Sequence, residues 1–207
     1  MGLINLLSND PIVFILLAIP LLYSVIIHEV AHGWVAYRMG DSTAKLLGRL
    51  SLNPLKHLDP IGTVVLFIFG FGWAKPVPVN FENLNNRQRG LVFVSSAGII
   101  ANLLLAFTAF VLYRILLPSP SGSVAIFLYY LAQVNIVLAS FNLIPIPPLD
   151  GSKILLGFAS EKFQYAFARL EPFGFFIIIA LLYLGLFEPI IKAFRYLILI
   201  IINIMLP

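Results

Sequence analysis

The sequence contains no cysteine. That excludes disulfides, thiolate metal sites and a cysteine nucleophile. It is also poor in charge. Only 11% of its 207 residues are Asp, Glu, Lys or Arg, against about 25% in an ordinary globular chain. The opening "MGLINLLSNDP" has no basic stretch and no small-residue cleavage site, so no removable signal peptide is expected. Leu6 breaks the myristoylation pattern that Met-Gly would otherwise start. What remains is apolar: 60% hydrophobic residues and a mean hydropathy of +1.00. A soluble domain of this length has too little interior to hide so much. The composition predicts an all-α polytopic membrane protein, a single membrane-embedded domain over residues 1–207.

Hydropathy divides the chain into a long first helix (11–37), full spans at 91–117 and 124–144, and two further apolar segments at 172–188 and 190–206. Together these give about five transmembrane helices. Residues 61–74, "IGTVVLFIFGFGWA", are apolar but short of the roughly 20 residues a crossing needs, and they hold three glycines. They are expected to form a re-entrant hairpin. Ten of the 13 Lys and Arg residues fall in the three polar stretches around 38–60, 75–90 and 152–171. If 61–74 does not cross, all three lie on one side. The positive-inside rule makes that side cytoplasmic and puts the turn at 118–123 outside. The net charge of +4 then reflects topology, and nucleic acid is not an expected partner.

Within this apolar background, "SVIIHEVAHGW" (24–34) places His28, Glu29 and His32 in one helix. No charge occurs among the 17 residues before His28. Ionisable groups inside a membrane helix are costly and point to function. Four-residue spacing sets the two imidazoles one turn apart on one face, where both can reach a single Zn²⁺ ion. Glu29 then stands beside the metal as a general base, the H-E-x-x-H arrangement of zinc hydrolases. Arg38 marks the end of the helix, so His28 lies about 15 Å into the membrane.

A catalytic zinc takes three protein ligands and keeps one open position. A third histidine six residues after His32 is excluded, because that position is Arg38. Of the remaining acids and histidines, most sit in polar loops where solvation accounts for them. Asp150 does not. It ends "NLIPIPPLDG", where Pro145, Pro147 and Pro148 break a membrane helix. Irregular backbone at membrane depth survives only when protein buries it or it lines a wet cavity. Two spans between His32 and Asp150 also return the chain to the same side. Asp150 is the first choice of third ligand and His57 the second.

These motifs, with "GRLSLNPLKHLDPIGT" and "FGWAKPVPVN" between them, resemble the site-2 protease family of intramembrane zinc metalloproteases. The similarity is to its compact prokaryotic branch without PDZ or CBS domains, and it runs from about Pro11 to Lys153. The resemblance implies one zinc ion held by His28, His32 and Asp150, with Glu29 as general base and Asn142 near the scissile bond. It implies a membrane-protein substrate, a single-pass helix, and a prokaryotic cell membrane with the active site towards the cytoplasmic half. One departure stands out. Gly98 is followed by Ile99 where many relatives have Gly-Pro, and Asn102 is accordingly read as helix packing.

The expected chemistry is peptide hydrolysis in the bilayer. "GRLSLN" and "AKPVPVN" alternate like short membrane-associated strands, suited to pairing with an unwound substrate. The alternatives are a non-catalytic metal-binding relative and a metal transporter. A transporter predicts polar groups strung across several spans, often with an internal repeat. Here they gather at one point, and no repeat is visible.

Overall fold

A computed structural model describes residues 3–69, 72–116 and 122–205. Most of the turn at 118–123 and the tip of the 61–74 segment lie outside them. The described helices, in order, are α1 (Leu3–Asn9), α2 (Pro11–Arg38), α3 (Thr43–Leu46), α4 (Pro60–Phe69), α5 (Arg87–Leu116), α6 (Ser123–Asn142), α7 (Asp150–Phe158), α8 (Glu161–Ala168), α9 (Gly174–Tyr183) and α10 (Phe187–Met205). Single 3₁₀ turns occupy Pro54–Lys56, Phe81–Asn83 and Glu171–Phe173. The chain is an all-helical integral membrane protein.

Among the described residues, four helical stretches are long and apolar enough to cross a membrane: Pro11–Arg38, Arg87–Ile115, Ser123–Asn142 and Lys162–Tyr183. The last of these is interrupted by the 3₁₀ turn at Glu171–Phe173, where Pro172 cannot continue an α-helix. The 190–206 segment forms α10, in which Glu188, Lys192 and Arg195 dilute the apolar run.

The core is the α2–α5–α6 bundle. Asp10 starts α2 by accepting a hydrogen bond from the Val13 backbone N–H (3.1 Å), and Pro11 occupies the first turn. Its buried residues Pro20, Ser24, His28, His32 and Ala36 recur every four positions. They form one ridge of the kind that packs into a neighbouring helix groove. Facing it, α5 buries Ser95, Gly98, Asn102, Ala106 and Ala109, and α6 buries Ala125, Ala132, Asn135 and Ala139. Small residues let membrane helices approach closely, and polar ones bond across the interface. Both histidines thus point inward because they lie on the packing ridge.

After α6, Leu143 and the prolines end the helix, and the chain turns through bonds from Ile146 N–H to Ile144 O and from Leu149 N–H to Ile146 O. A Cβ on Gly151 would come within 2.3 Å of the Leu143 carbonyl oxygen. Only glycine lets the start of α7 fold back this tightly. α10 then returns along α6: the rings of Phe187 and Phe141 lie 5.6 Å apart, and Arg195 donates to Gln133 Oε1 half-way along α6.

The segment after His57 leaves and returns at one place. Lys75 N–H donates to His57 O (2.8 Å), and Leu58 and Ala74 form an isolated antiparallel bridge. Asp59 caps α4 by accepting from Gly62 N–H (2.7 Å). The strands expected in "GRLSLN" and "AKPVPVN" are corrected: no strand forms among the described residues. Pro76 and Pro78 have no N–H to give a ladder. Beyond Lys75 N–H, residues 75–83 are tied mainly by bonds to side chains. Arg49 donates to Lys75 O (2.7 Å), and Asp41 accepts from Asn80 N–H (2.8 Å) and Asn83 Nδ2 (3.0 Å). The result is an extended strap tied to the loop after α2.

Candidate metal centre and active site

Three ligand-type atoms converge where the α2 ridge, α5 and the start of α7 meet. His28 Nε2 and His32 Nε2 are 2.9 Å apart, and each is 3.1 Å from Asp150 Oδ2. All three residues are buried.

The far side of each ring fixes what this face presents. His32 Nδ1–H donates to the Val94 carbonyl oxygen (2.7 Å), and His28 Nδ1–H donates to Asn102 Oδ1 (2.6 Å). Asn102 is itself oriented, because its Nδ2 donates to Asn135 Oδ1 (2.7 Å) and Ser24 O (3.3 Å). Asn135 Nδ2 in turn donates to Ser24 Oγ (2.7 Å) and Leu131 O (2.7 Å). With both Nδ1 atoms spent as donors, both Nε2 atoms turn lone pairs inward. Asp150 Oδ2 is buried and takes no hydrogen bond among the described residues. With both histidines neutral, three acceptors crowd together, an arrangement that suits a bound cation. Bonds of about 2.0–2.1 Å in a tetrahedron put ligand atoms about 3.3 Å apart, close to the separations seen here.

Gly98 supplies the room. A Cβ there would lie 2.5 Å from His32 Nε2 and 2.6 Å from His28 Nε2, against the two nitrogens that converge on Asp150. An Asp at the start of a helix has a competing role as its cap, but Leu149 occupies the N-cap position of α7. The Asp150 carboxylate is left for the histidines.

Glu29 lies beside the cluster, and its Oε2 accepts from the Val77 N–H of the strap (2.7 Å). A cavity of about 320 Å³ joins Glu29 to His28, His32, Asp150, Ser95 and Lys153. A second cavity, of about 440 Å³, lies between α2, α4 and the end of α6, and is walled by Leu21, Val25, Leu66, Phe67, Trp73 and Phe141. The two share His28, Glu29 and Asn142. Asn142 Nδ2 donates to Leu138 O of its own helix (3.0 Å). His57, the second choice of ligand, stands apart: its Nε2–H donates to Ser51 O (2.6 Å) at the base of the α4 hairpin. Asn102 is also corrected. It does pack between helices, but its Oδ1 is what orients His28. The sequence signal for it was a lone amide in an apolar span, spaced four residues after Gly98.

Comparison with known proteins gives one family. The model of peptidase family M50 matches residues 16–119 and 118–185. The "Putative zinc metalloprotease YwhC" of Bacillus subtilis is 41% identical over 172 residues, which cover 80% of this chain and 78% of that protein. The "Putative zinc metalloprotease Rip2" of Mycolicibacterium smegmatis is 34% identical over 176 residues, 82% of this chain and 67% of that protein. No solved structure gave a significant match.

Proposed function

The chain belongs to peptidase family M50 and is a zinc-dependent protease, and from that premise we propose that it hydrolyses peptide bonds of membrane-protein substrates inside the bilayer. His28, His32 and Asp150 hold the ion, and Glu29 is the general base. The observation that carries this reading is the convergence of three buried acceptors with a carboxylate beside them in one cavity.

Zinc, when bound, supplies Lewis acidity, which lowers the pKa of water and polarises a carbonyl. The residues do the rest. Glu29 takes a proton from the attacking water and passes it to the departing amide nitrogen. Its Oε2 is held by the Val77 N–H, which leaves Oε1 to take the proton. The substrate is a single-pass helix, unwound locally so that its carbonyl is free. Asn142, on the rim of both cavities, contacts its backbone once the amide turns from Leu138 O.

Residues 1–207 act as one membrane-embedded domain in a prokaryotic cell membrane. The α4 segment dips and returns, which the Leu58–Ala74 bridge supports. The site then lies towards the cytoplasmic half, beside the basic loops. α10 makes a further crossing, as its antiparallel course along α6 suggests.

The test is cleavage of a single-pass substrate by purified protein in detergent. Glu29→Gln should keep its zinc and lose cleavage. Equal cleavage by both proteins would sink the proposal.

A further inference from the structure

Ser95 is 1% exposed, and its Oγ has no hydrogen-bond partner among the described residues. Buried Ser140 shares this state but lines neither the polar nor the apolar cavity; several other helical hydroxyls are bonded. Ser8, Thr63 and Thr108 each donate to the carbonyl four residues back, at 3.0, 2.7 and 2.8 Å, the usual refuge of a hydroxyl in an apolar helix. Ser152 does the same over three residues, at 2.6 Å. Ser95 forgoes that bond, and a buried donor left unpaired is costly.

Its position gives a reason. Ser95, Gly98 and Asn102 are spaced three and four residues apart, so they form one stripe on α5. Asn102 orients His28, and Gly98 clears the space in front of the two Nε2 atoms. Ser95 follows on the same stripe and lines the polar cavity with Glu29, His32 and Asp150. Its neighbour Val94 fixes His32 through the backbone. Asn142, the other polar side chain expected to serve the substrate, has its amide engaged on Leu138 O.

We propose that the Ser95 hydroxyl donates a hydrogen bond to the scissile carbonyl oxygen of the substrate, and that this bond strengthens as water adds and the oxygen gains negative charge. Ser95 forms no covalent bond; it is a donor held beside the place where the oxygen gains charge, where such donors are most effective. This inference rests on the peptidase reading above.

The test uses the full chain in detergent, loaded with zinc, and a single-pass substrate. Ser95→Ala should lower kcat about 100-fold, with KM within about twofold and zinc content unchanged. Ser95→Thr, which keeps the hydroxyl, should restore most of the rate. Binding of a phosphinic peptide, whose tetrahedral oxygen imitates the charged carbonyl, should weaken by a similar factor in Ser95→Ala. Unchanged kcat with unchanged phosphinic-peptide affinity would overturn the proposal, as would loss of zinc from Ser95→Ala. If Glu29→Gln is inactive while Ser95→Ala matches the wild type, the Ser95 inference fails and the peptidase reading stands. Cleavage by Glu29→Gln would remove both.

Discussion

The polar cavity beside Lys153 and the apolar cavity beside Trp73 meet at His28, Glu29 and Asn142. They are suited to different guests. The first is walled by His28, His32, Asp150, Ser95 and a lysine. The second is walled by leucines and aromatic rings from α2, α4 and α6. Polar walls suit water in the first, and mostly apolar walls suit a hydrophobic chain in the second. A reaction that joins water to a membrane-borne peptide needs both environments within reach of one carboxylate. Here Glu29 stands at their junction.

Substitutions that close one cavity and leave the other open sharpen this contrast. Gly98→Ala should have the largest effect, since its Cβ would press on both ligand nitrogens. Metal analysis should find zinc lost and cleavage reduced by about 100-fold or more, while thermal unfolding still shows a folded protein. Asn102→Ala leaves both cavities open but frees the His28 ring. Loss of such an outer partner typically costs 10- to 100-fold in metal affinity, which zinc titration against a chelator would read. Ala18→Phe places a ring in the apolar cavity. Cleavage should fall by about tenfold on the scale of overpacking a site, with zinc content at wild-type level. Normal cleavage by Ala18→Phe would remove the apolar cavity from the substrate's path.

The smallest effect concerns the strap over the polar cavity. Burial pushes the Asp41 carboxyl up, but bonds from Thr43, Asn83 and the Asn80 and Thr43 backbones outweigh this and hold it below the ordinary carboxylate range. A lowered folded-state pKa stabilises at pH values above the unfolded one and ceases to do so as pH falls through the folded value. The opening equilibrium of strap amides, read by hydrogen exchange corrected for its intrinsic pH dependence, should therefore be steady from neutral pH down to the carboxylate range, and opening should rise in acid. Asp41→Asn should remove that rise; an unchanged acid profile would rule out Asp41 as the anchor.

Much of this was legible in the sequence. His28, Glu29 and His32 declare themselves because an apolar helix rarely carries ionisable groups that it does not use, and Asp150 because three prolines break the helix before it. The crossings at α2, α5 and α6 match their hydropathy to within a few residues. What stayed hidden is the ring of partners around the ligands. Val94, Asn102 and Val77 lie between 48 and 74 residues from the groups they bond. α5 is apolar or small on every side, so no period singles out the Ser95–Gly98–Asn102 stripe. The expected strands failed for a related reason. Alternating Pro and Val look like a strand edge, yet proline removes the donors a ladder needs. Near the C-terminus, an apolar count across Pro172 and Gly185 blurred helix ends that fall at Tyr183 and Phe187.

The distance in the chain between the ligands also sets when activity begins. Asp150 is made about 120 residues after His32, which is about 6 to 24 s at ribosomal speeds of 5–20 residues per second. Asn135, which steadies Asn102, also belongs to that later stretch. Until α6 has entered the membrane and the chain has turned back at Gly151, the two histidines have neither Asp150 beside them nor their full support. On the proposed assignment the nascent chain carries Glu29 through the insertion machinery in an inert helix, and becomes a protease only once most of it has been built.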